Sequence, residues 1–294
     1  MRFRWDWLEP VMPVPYVPTL GPVHPGNPIP DLFAAVVEAA GTDRLLPYDK
    51  DRRWSDRKTE QVLVDAIHHD RRRTLVPTLQ DRGARTVRVH AYTSDPEDLA
   101  AASDLARHLA HIHGAVHARV VSFLAPGQPE ELAHGGIRVQ LKDFTAGPGP
   151  APELPVQESH RLPPAAGFGE FAAAMAADGF AFLYEQMRAQ RTGPVLTVVH
   201  EGRVACAIGP METMPDAAGT VRLLPQYFGV LPRHRGRGYG RALWRAAMHW
   251  GHEHGAAYQI LQTTVGGPSD WLCAAEGLTS LGVILQTQVR TNAP

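Results

Sequence analysis

Between Gln226 and Trp250 the chain reads QYFGVLPRHRGRGYGRALWRAAMHW. A short apolar run, Tyr227–Leu231, has strand character, and Pro232 ends it. Arg235-Gly236-Arg237-Gly238-Tyr239-Gly240 follows, and a helical pattern starts at once. The first amides of a helix have no internal partner, and the helix dipole places partial positive charge beside them. Glycines let a phosphate approach the backbone without meeting a Cβ. A strand, an Arg/Gly turn and a helix start therefore make an anion-binding arrangement. It is not a Walker loop, because Gly240 is followed by Arg241-Ala242 and not by Lys and Ser/Thr. It is not a dinucleotide fingerprint, because its glycines are spaced by two.

The elements that must position this turn can be read in order. Residues 1–30 are proline-rich, with Trp5, Trp7 and Tyr16 as anchors, and predict an extended strap. A helix is expected over Leu32–Ala40 with Asp31 as its cap, and a second over Asp56–Asp70, closed by Arg71-Arg72-Arg73. Thr86–Tyr92 alternates as a strand. Asp95-Pro96-Glu97-Asp98 then opens a helix that Gly114 stops. Strands at Ala115–Leu124 and Ile137–Phe144 flank a short helix near Pro126–Leu132. Helical periodicity returns over Phe168–Ala189, with a break at Gly179. Pro194–Val199 and Arg203–Ile208 form a hairpin around Glu201-Gly202. Val221–Leu231 reads as one strand into the glycine turn. Ala242, Leu243, Ala246, Ala247 and Trp250 share the buried side of the helix that follows; Arg241, Arg245 and His249 form its wet side. A strand at Tyr258–Val265, a short helix at Ser269–Ala275 and a strand at Gly282–Val289 complete the chain. The Pro/Gly-rich run 145–164 is the linker candidate, dividing an N-terminal domain, 1–144, from a C-terminal domain, 165–294.

Two motifs carry a family resemblance. Arg-x-x-Gly-x-Gly (Arg235, Gly238, Gly240), preceded by Val-x-Pro (Val230, Pro232), resembles motif A of the GNAT acyltransferases. Leu272 to Leu278 is similar to that family's Leu-Tyr-x-x-x-Gly-Phe, with Gly277 in register, Cys273 in place of Tyr and Leu278 in place of Phe. The resemblance covers roughly residues 165–294. It implies an α/β (α+β) GNAT fold with a mixed, mostly antiparallel sheet. Thr86–Phe144 echoes the same order without a glycine loop, and Asp95, Glu97 and Asp98 stand where a phosphate would go. An accessory or degenerate GNAT-like N-terminal domain is expected.

The resemblance also implies acetyl-CoA as acyl donor. The amides of Arg235, Gly236, Arg237, Gly238, Tyr239 and Gly240 would face its pyrophosphate, with Arg233 and Arg241 nearby as further cations. Phe228, Gly229 and Val230 would hold the pantetheine arm and acyl oxygen through their backbone. The acceptor is a primary amine of a small molecule or peptide, acylated by direct attack. Relatives carry a glutamate where this chain has Gln226, which cannot accept a proton; Glu212, in the segment that usually borders the acceptor site, is the candidate base, and Asp216, His200 or a water held by Tyr227 or Gln226 are alternatives. Cys273 is the candidate acid, as a thiol of ordinary pKa ~8.5. A CoA-binding scaffold without catalysis, or transfer of another acyl group, are the competing readings.

Composition narrows the partners. A net charge of −1 argues against a strongly basic nucleic-acid binder. Two distant cysteines imply no disulfide framework, and a cytoplasmic location is the expectation. His108, His111, His113 and His117 lack an acidic or cysteine partner at metal-site spacing, so no metal is expected. No membrane partner is expected, and a homodimer is left open.

Overall fold

A computed structural model describes Leu8, residues 12–93, Asp95, and residues 97–159 and 167–290. Trp5 and Trp7 lie outside these. The strap survives as a small hairpin, β1 (Tyr16–Val17) with β2 (Gly21–Pro22). Helix α1 (Ile29–Ala39) starts at a proline, and no side chain caps it.

The helix expected over Asp56–Asp70 is absent. That stretch forms β3 (Glu60–Val62), a 3-10 turn at Val64–Ala66 and β4 (His68–His69). Both strands pair with β5 (Arg73–Gln80), a strand that the sequence reading missed. Its interior Pro77 hid it. The Pro77 carbonyl accepts from the Leu63 amide at 2.9 Å, so the position without an N–H falls just beyond the end of β3 and before β4, and the pairing with β3 stops there.

Next come β6 (Thr86–Thr93), α2 (Asp98–His113), β7 (His117–Leu124), α3 (Glu130–Ala133) and β8 (Ile137–Asp143). Gly114 ends α2 in the left-handed region, at φ 58°. β9 (Gln157–Glu158) precedes α4 (Phe168–Ala174) and α5 (Phe180–Arg188), which are separated at Gly179 as the sequence suggests. The hairpin of β10 (Leu196–His200) and β11 (Arg203–Gly209) turns at Glu201-Gly202, both with positive φ. The strand read as continuous from Val221 to Leu231 is two separate pieces: β13 (Val221–Leu223) pairs with β12 (Thr213–Pro215), which precedes it, and β14 (Tyr227–Val230) pairs with β11. Then follow α6 (Tyr239–Glu253), β15 (Tyr258–Thr264), α7 (Pro268–Ala275) and β16 (Thr279–Val289).

The chain gathers into two compact units, Met1–Leu141 with Ile260–Pro294, and Lys142–Gln259. In the first, strands run β3-β5-β6-β7-β16-β8, with β6 and β7 parallel and the other pairs antiparallel. Helix α2 packs Ala102, Ala106, Leu109 and Ala110 against Leu75, Val87, Val89 and Val120. The final strand, which sequence places with the C-terminal domain, pairs with β7 over Val283–Val289 and with β8 from Thr279 to Ile284.

In the second unit, β9-β10-β11-β14 form an antiparallel sheet, and β13 pairs in parallel with the start of β15. Phe168, Phe171, Met175, Phe180 and Leu183 from α4 and α5 cover Val195, Val204 and Ala207. Part of the linker candidate is built into this unit. The Glu153 carboxylate accepts from Arg245 of α6 at 2.7 Å, and His249 donates to the carbonyls of Gly149 and Pro150. Residues 157 and 158 extend the sheet, and Ser159 donates its amide to Val195 at 2.7 Å. Two of the three residues expected on the wet side of α6, Arg245 and His249, are therefore bonded to the linker run.

Candidate functional site

β14 is the edge of its sheet among the described strands. The Leu231 amide donates to Ala205 O at 3.0 Å, and Gly229 stands opposite Ala207. Alternation then turns the backbone of Tyr227, Gly229 and Leu231 toward β11, and that of Phe228 and Val230 toward the other edge. Arg235 donates through Nε to Val230 O at 3.2 Å. A Cβ on Gly229 would lie 2.7 Å from Phe180 and 2.8 Å from Met175. The missing side chain there makes room for α4 and α5, not for a ligand, which could reach Gly229 only along the strand edge. On the opposite face, a Cβ on Gly240 would lie 3.3 Å from Val230 and 3.5 Å from Phe228. Gly240 thus lets the first turn of α6 sit close against β14.

After β14, Pro232–His234 makes a 3-10 turn, closed by His234 N–H to Leu231 O at 2.8 Å. Gly236 and Gly238 have φ of 76° and 80°, and a Cβ on either would meet nothing within 4 Å. This is the left-handed region, favourable to glycine. Gly238 is the N-cap of α6; no side chain caps the helix and no acid occupies its first turn. The amides of Tyr239, Gly240 and Arg241 precede the first intrahelical bond, Ala242 N–H to Gly238 O at 3.0 Å. Amide donors without an internal partner, with Arg233, Arg235, Arg237 and Arg241 in the same stretch of chain, are the kind of arrangement that suits an anion. Tyr239 is steadied from β10, its hydroxyl 3.0 Å from His200 Nδ1.

The acid and base candidates are engaged elsewhere. The Glu212 carboxylate accepts from the Gly193 amide at 3.1 Å. Asp216 is buried and accepts from the Ala218 and Thr220 amides and, at 2.8 Å, from the Tyr258 hydroxyl. Gln226 accepts from Gln259 Nε2 at 2.7 Å and donates to Leu224 O, so its amide ties β14 to the neighbouring segments. Cys273 is buried in α7 of the first unit, and burial, then Asp270 and Glu276, pushes its thiol up to about 12. A thiol that weakly acidic is a poor proton donor to a thiolate leaving group.

Sequence reasoning missed Arg203 and His234 as neighbours of the loop. The hairpin register carries the signal, since Cys206 opposite Val230 sets Arg203 beside the residues that follow β14.

Residues 178–269 match the family model for the acetyltransferase (GNAT) family, so the C-terminal half carries a GNAT domain. Solved structures with a similar fold include a GCN5-related N-acetyltransferase from Sphaerobacter thermophilus, 14% identical, with a TM-score of 0.47, covering 87% of this chain and 94% of that one. Another is a GCN5-related N-acetyltransferase from Kribbella flavida, 18% identical, TM-score 0.45, covering 78% and 92%. A third is a tandem GNAT protein from the clavulanic acid biosynthesis pathway, 17% identical, TM-score 0.44, covering 76% and 80%. Likenesses this distant assign no residue a role. No curated protein matches the chain. Among the described residues no helix is long and apolar enough to cross a membrane.

Proposed function

We propose that the second unit binds acetyl-CoA and transfers its acyl group to a primary amine of a small molecule or peptide. The observation that carries this reading is the junction of β14 and α6. An edge strand offers the Phe228 and Val230 backbone to an extended amide-bearing arm. The arm's diphosphate then meets the uncapped, acid-free first turn of α6 and the loop arginines. In direct attack the amine nitrogen bonds to the thioester carbon, the C–S bond breaks, and the proton lost by nitrogen ends on sulfur or in solvent. Glu212, whose carboxylate accepts from the Gly193 amide, is the proposed base.

A second reading, CoA binding without catalysis, is favoured by Gln226, which cannot take a proton and is bonded to Gln259, and by the buried Cys273 thiol. Two measurements separate the readings. Calorimetry with acetyl-CoA should show binding in the micromolar range, about −8 kcal/mol. Thiol release against an amine panel should then show turnover. Binding without release for any amine supports the second reading, and absence of binding removes both.

A further inference from the structure

The first unit carries a buried imidazole that no step of the proposed reaction uses. His90 of β6 is fully buried. Its Nδ1 lies 3.1 Å from the Val76 carbonyl oxygen of β5. A carbonyl only accepts, so the ring carries its proton on Nδ1 and presents a bare Nε2. That Nε2 is enclosed and has no hydrogen-bond partner. The surrounding elements offer it little. β5 and β7 place Val76 and Val121 opposite it. Glu60 of β3 and Arg88 of β6 are the charged groups that act on the ring, with opposite effects, and they are bonded to each other at 2.8 Å. Tyr92 of β6 and Tyr16 of the strap stay neutral, because burial pushes both hydroxyls up.

The strap lies over this ring in a strained form. Tyr16 of β1 stacks on His90, with ring centroids 5.6 Å apart, and meets Phe123 of β7 at 5.3 Å. The Tyr16 carbonyl accepts from the Tyr92 hydroxyl at 3.0 Å. The turn after β1 is closed by Leu20 N–H to Val17 O at 3.1 Å and puts Thr19 at φ 69°. A β-branched residue is costly there. Ammonium groups clamp the turn: Lys58 donates to Thr19 O at 2.5 Å and Lys50 to Leu20 O at 3.2 Å. Lys58 is bonded in turn to Asp49 at 2.7 Å and Asp51 at 3.1 Å. Burial raises the Asp51 carboxyl, but the Lys50 and Lys58 charges outweigh it and hold it below the usual carboxylate range. The clamp therefore keeps its charge over the range in which an imidazole titrates.

We propose that the strap is an acid-sensitive cover: a proton on His90 Nε2 places a charge and a donor without an acceptor beneath Tyr16, and the strap opens to let water reach it. Opening uncovers the Tyr92 and Phe123 rings, which stack at 5.0 Å. The direction of the pH effect follows from the imidazole. Burial pushes it down to about 4 in the closed form, against 6.5 for the ordinary group. The open form therefore binds the proton first, and the closed form loses ground as pH falls from 6.5 toward about 4. Between pH 7 and pH 5 the ratio of open to closed strap should rise by about 20-fold.

The test is hydrogen exchange of the full chain at pH 7, 6 and 5, corrected for the intrinsic pH dependence of exchange. The Leu20 and Val23 amides, bonded to the Val17 and Pro15 carbonyls, should lose protection by about 20-fold from pH 7 to pH 5, while the amides of β6 and β7 keep theirs. His90→Asn keeps a donor near the place of Nδ1 and does not titrate; its strap protection should change by less than about threefold over the same range. Tyr92→Phe keeps the imidazole and removes one hold on the strap. It should lower strap protection at pH 7 by about fivefold and leave the pH response in place. Strap protection that does not depend on pH overturns the proposal. So does an equal loss across β6 and β7, which is global unfolding, or a wild-type pH response in H90N. If H90N does not fold, isotope-labelled histidine decides. The His90 signal should titrate well below the ordinary value of about 6.5 and in step with strap exchange. A midpoint at the ordinary value, or a strap that opens at a different pH from the ring, overturns the proposal.

Discussion

Two of the chain's strand–turn–helix junctions, β6–α2 and β14–α6, treat the helix start in opposite ways. At β14–α6 the turn carries two left-handed glycines, the helix is uncapped, and no acid lies in its first turn. At β6–α2 the chain supplies its own anions. The Asp95 carboxylate accepts from the Glu97 amide at 2.9 Å and from Arg72, and these hydrogen bonds hold it below the usual carboxylate range. Asp98 is buried, bonded to Arg73 at 2.9 Å and Thr93 at 2.8 Å. The strands differ as well. β6 is paired on both sides, by β5 and β7, whereas β14 leaves one edge unpaired among the described strands. One layout thus gives a closed, self-neutralised junction in the first unit and an anion-ready one in the second. The order of elements is shared; the side chains at the turn and the pairing of the strand differ.

The comparison breaks if the closed junction proves dispensable. Asp98→Ala leaves Arg73 beside an emptied buried position, and should cost about 3 kcal/mol of stability, read by denaturant unfolding, without creating a CoA site. In the open junction, Gly238→Val forces a branched side chain into φ near 80°. Strain of about 1–3 kcal/mol and the added bulk should weaken acetyl-CoA binding by about 100-fold or more. Unchanged binding would remove the loop from the site. Arg241→Asp gives α6 the first-turn acid that α2 has, and should weaken acetyl-CoA by about tenfold in low salt, less in high salt. The smallest effect is expected for Cys273→Ala. If the chemistry belongs to the second unit, turnover should stay within about twofold, because a thiol pushed up to about 12 adds little as a proton donor. A hundredfold loss would return the thiol to the reaction.

Most helices and the hairpin were legible in the sequence, because caps, glycines and apolar periodicity act over a few residues. Gly114, Gly179 and Glu201-Gly202 mark boundaries that the structure keeps. The failures share a cause. The helix expected over Asp56–Asp70 rests on three apolar residues, Val62, Val64 and Ile67; pairing with β5 puts Val62 in a strand, and Val64 opens a 3-10 turn that ends before Ile67. Pro77 argues against a strand unless its place in the ladder is known. The candidate base rests on the segment that borders the acceptor site in relatives and the candidate acid on a motif position, whereas the Gly193 bond to Glu212 and the burial of Cys273 depend on the tertiary structure.

By itself the sequence determined the strand end at Pro232, the two glycines that need positive φ, the helix that follows and the positive charge around its start. Each depends on backbone sterics and on charges within a few residues. The tertiary structure alone decided that β14 is an edge, that Gly229 yields its space to Phe180 and Met175, and that β16 joins the first unit. It also decided that His200 and Arg203 meet Arg233, His234 and Arg237 around one cavity. Those outcomes follow from which apolar faces are buried together and which strands exhaust their hydrogen bonds, and no local window of sequence contains that information.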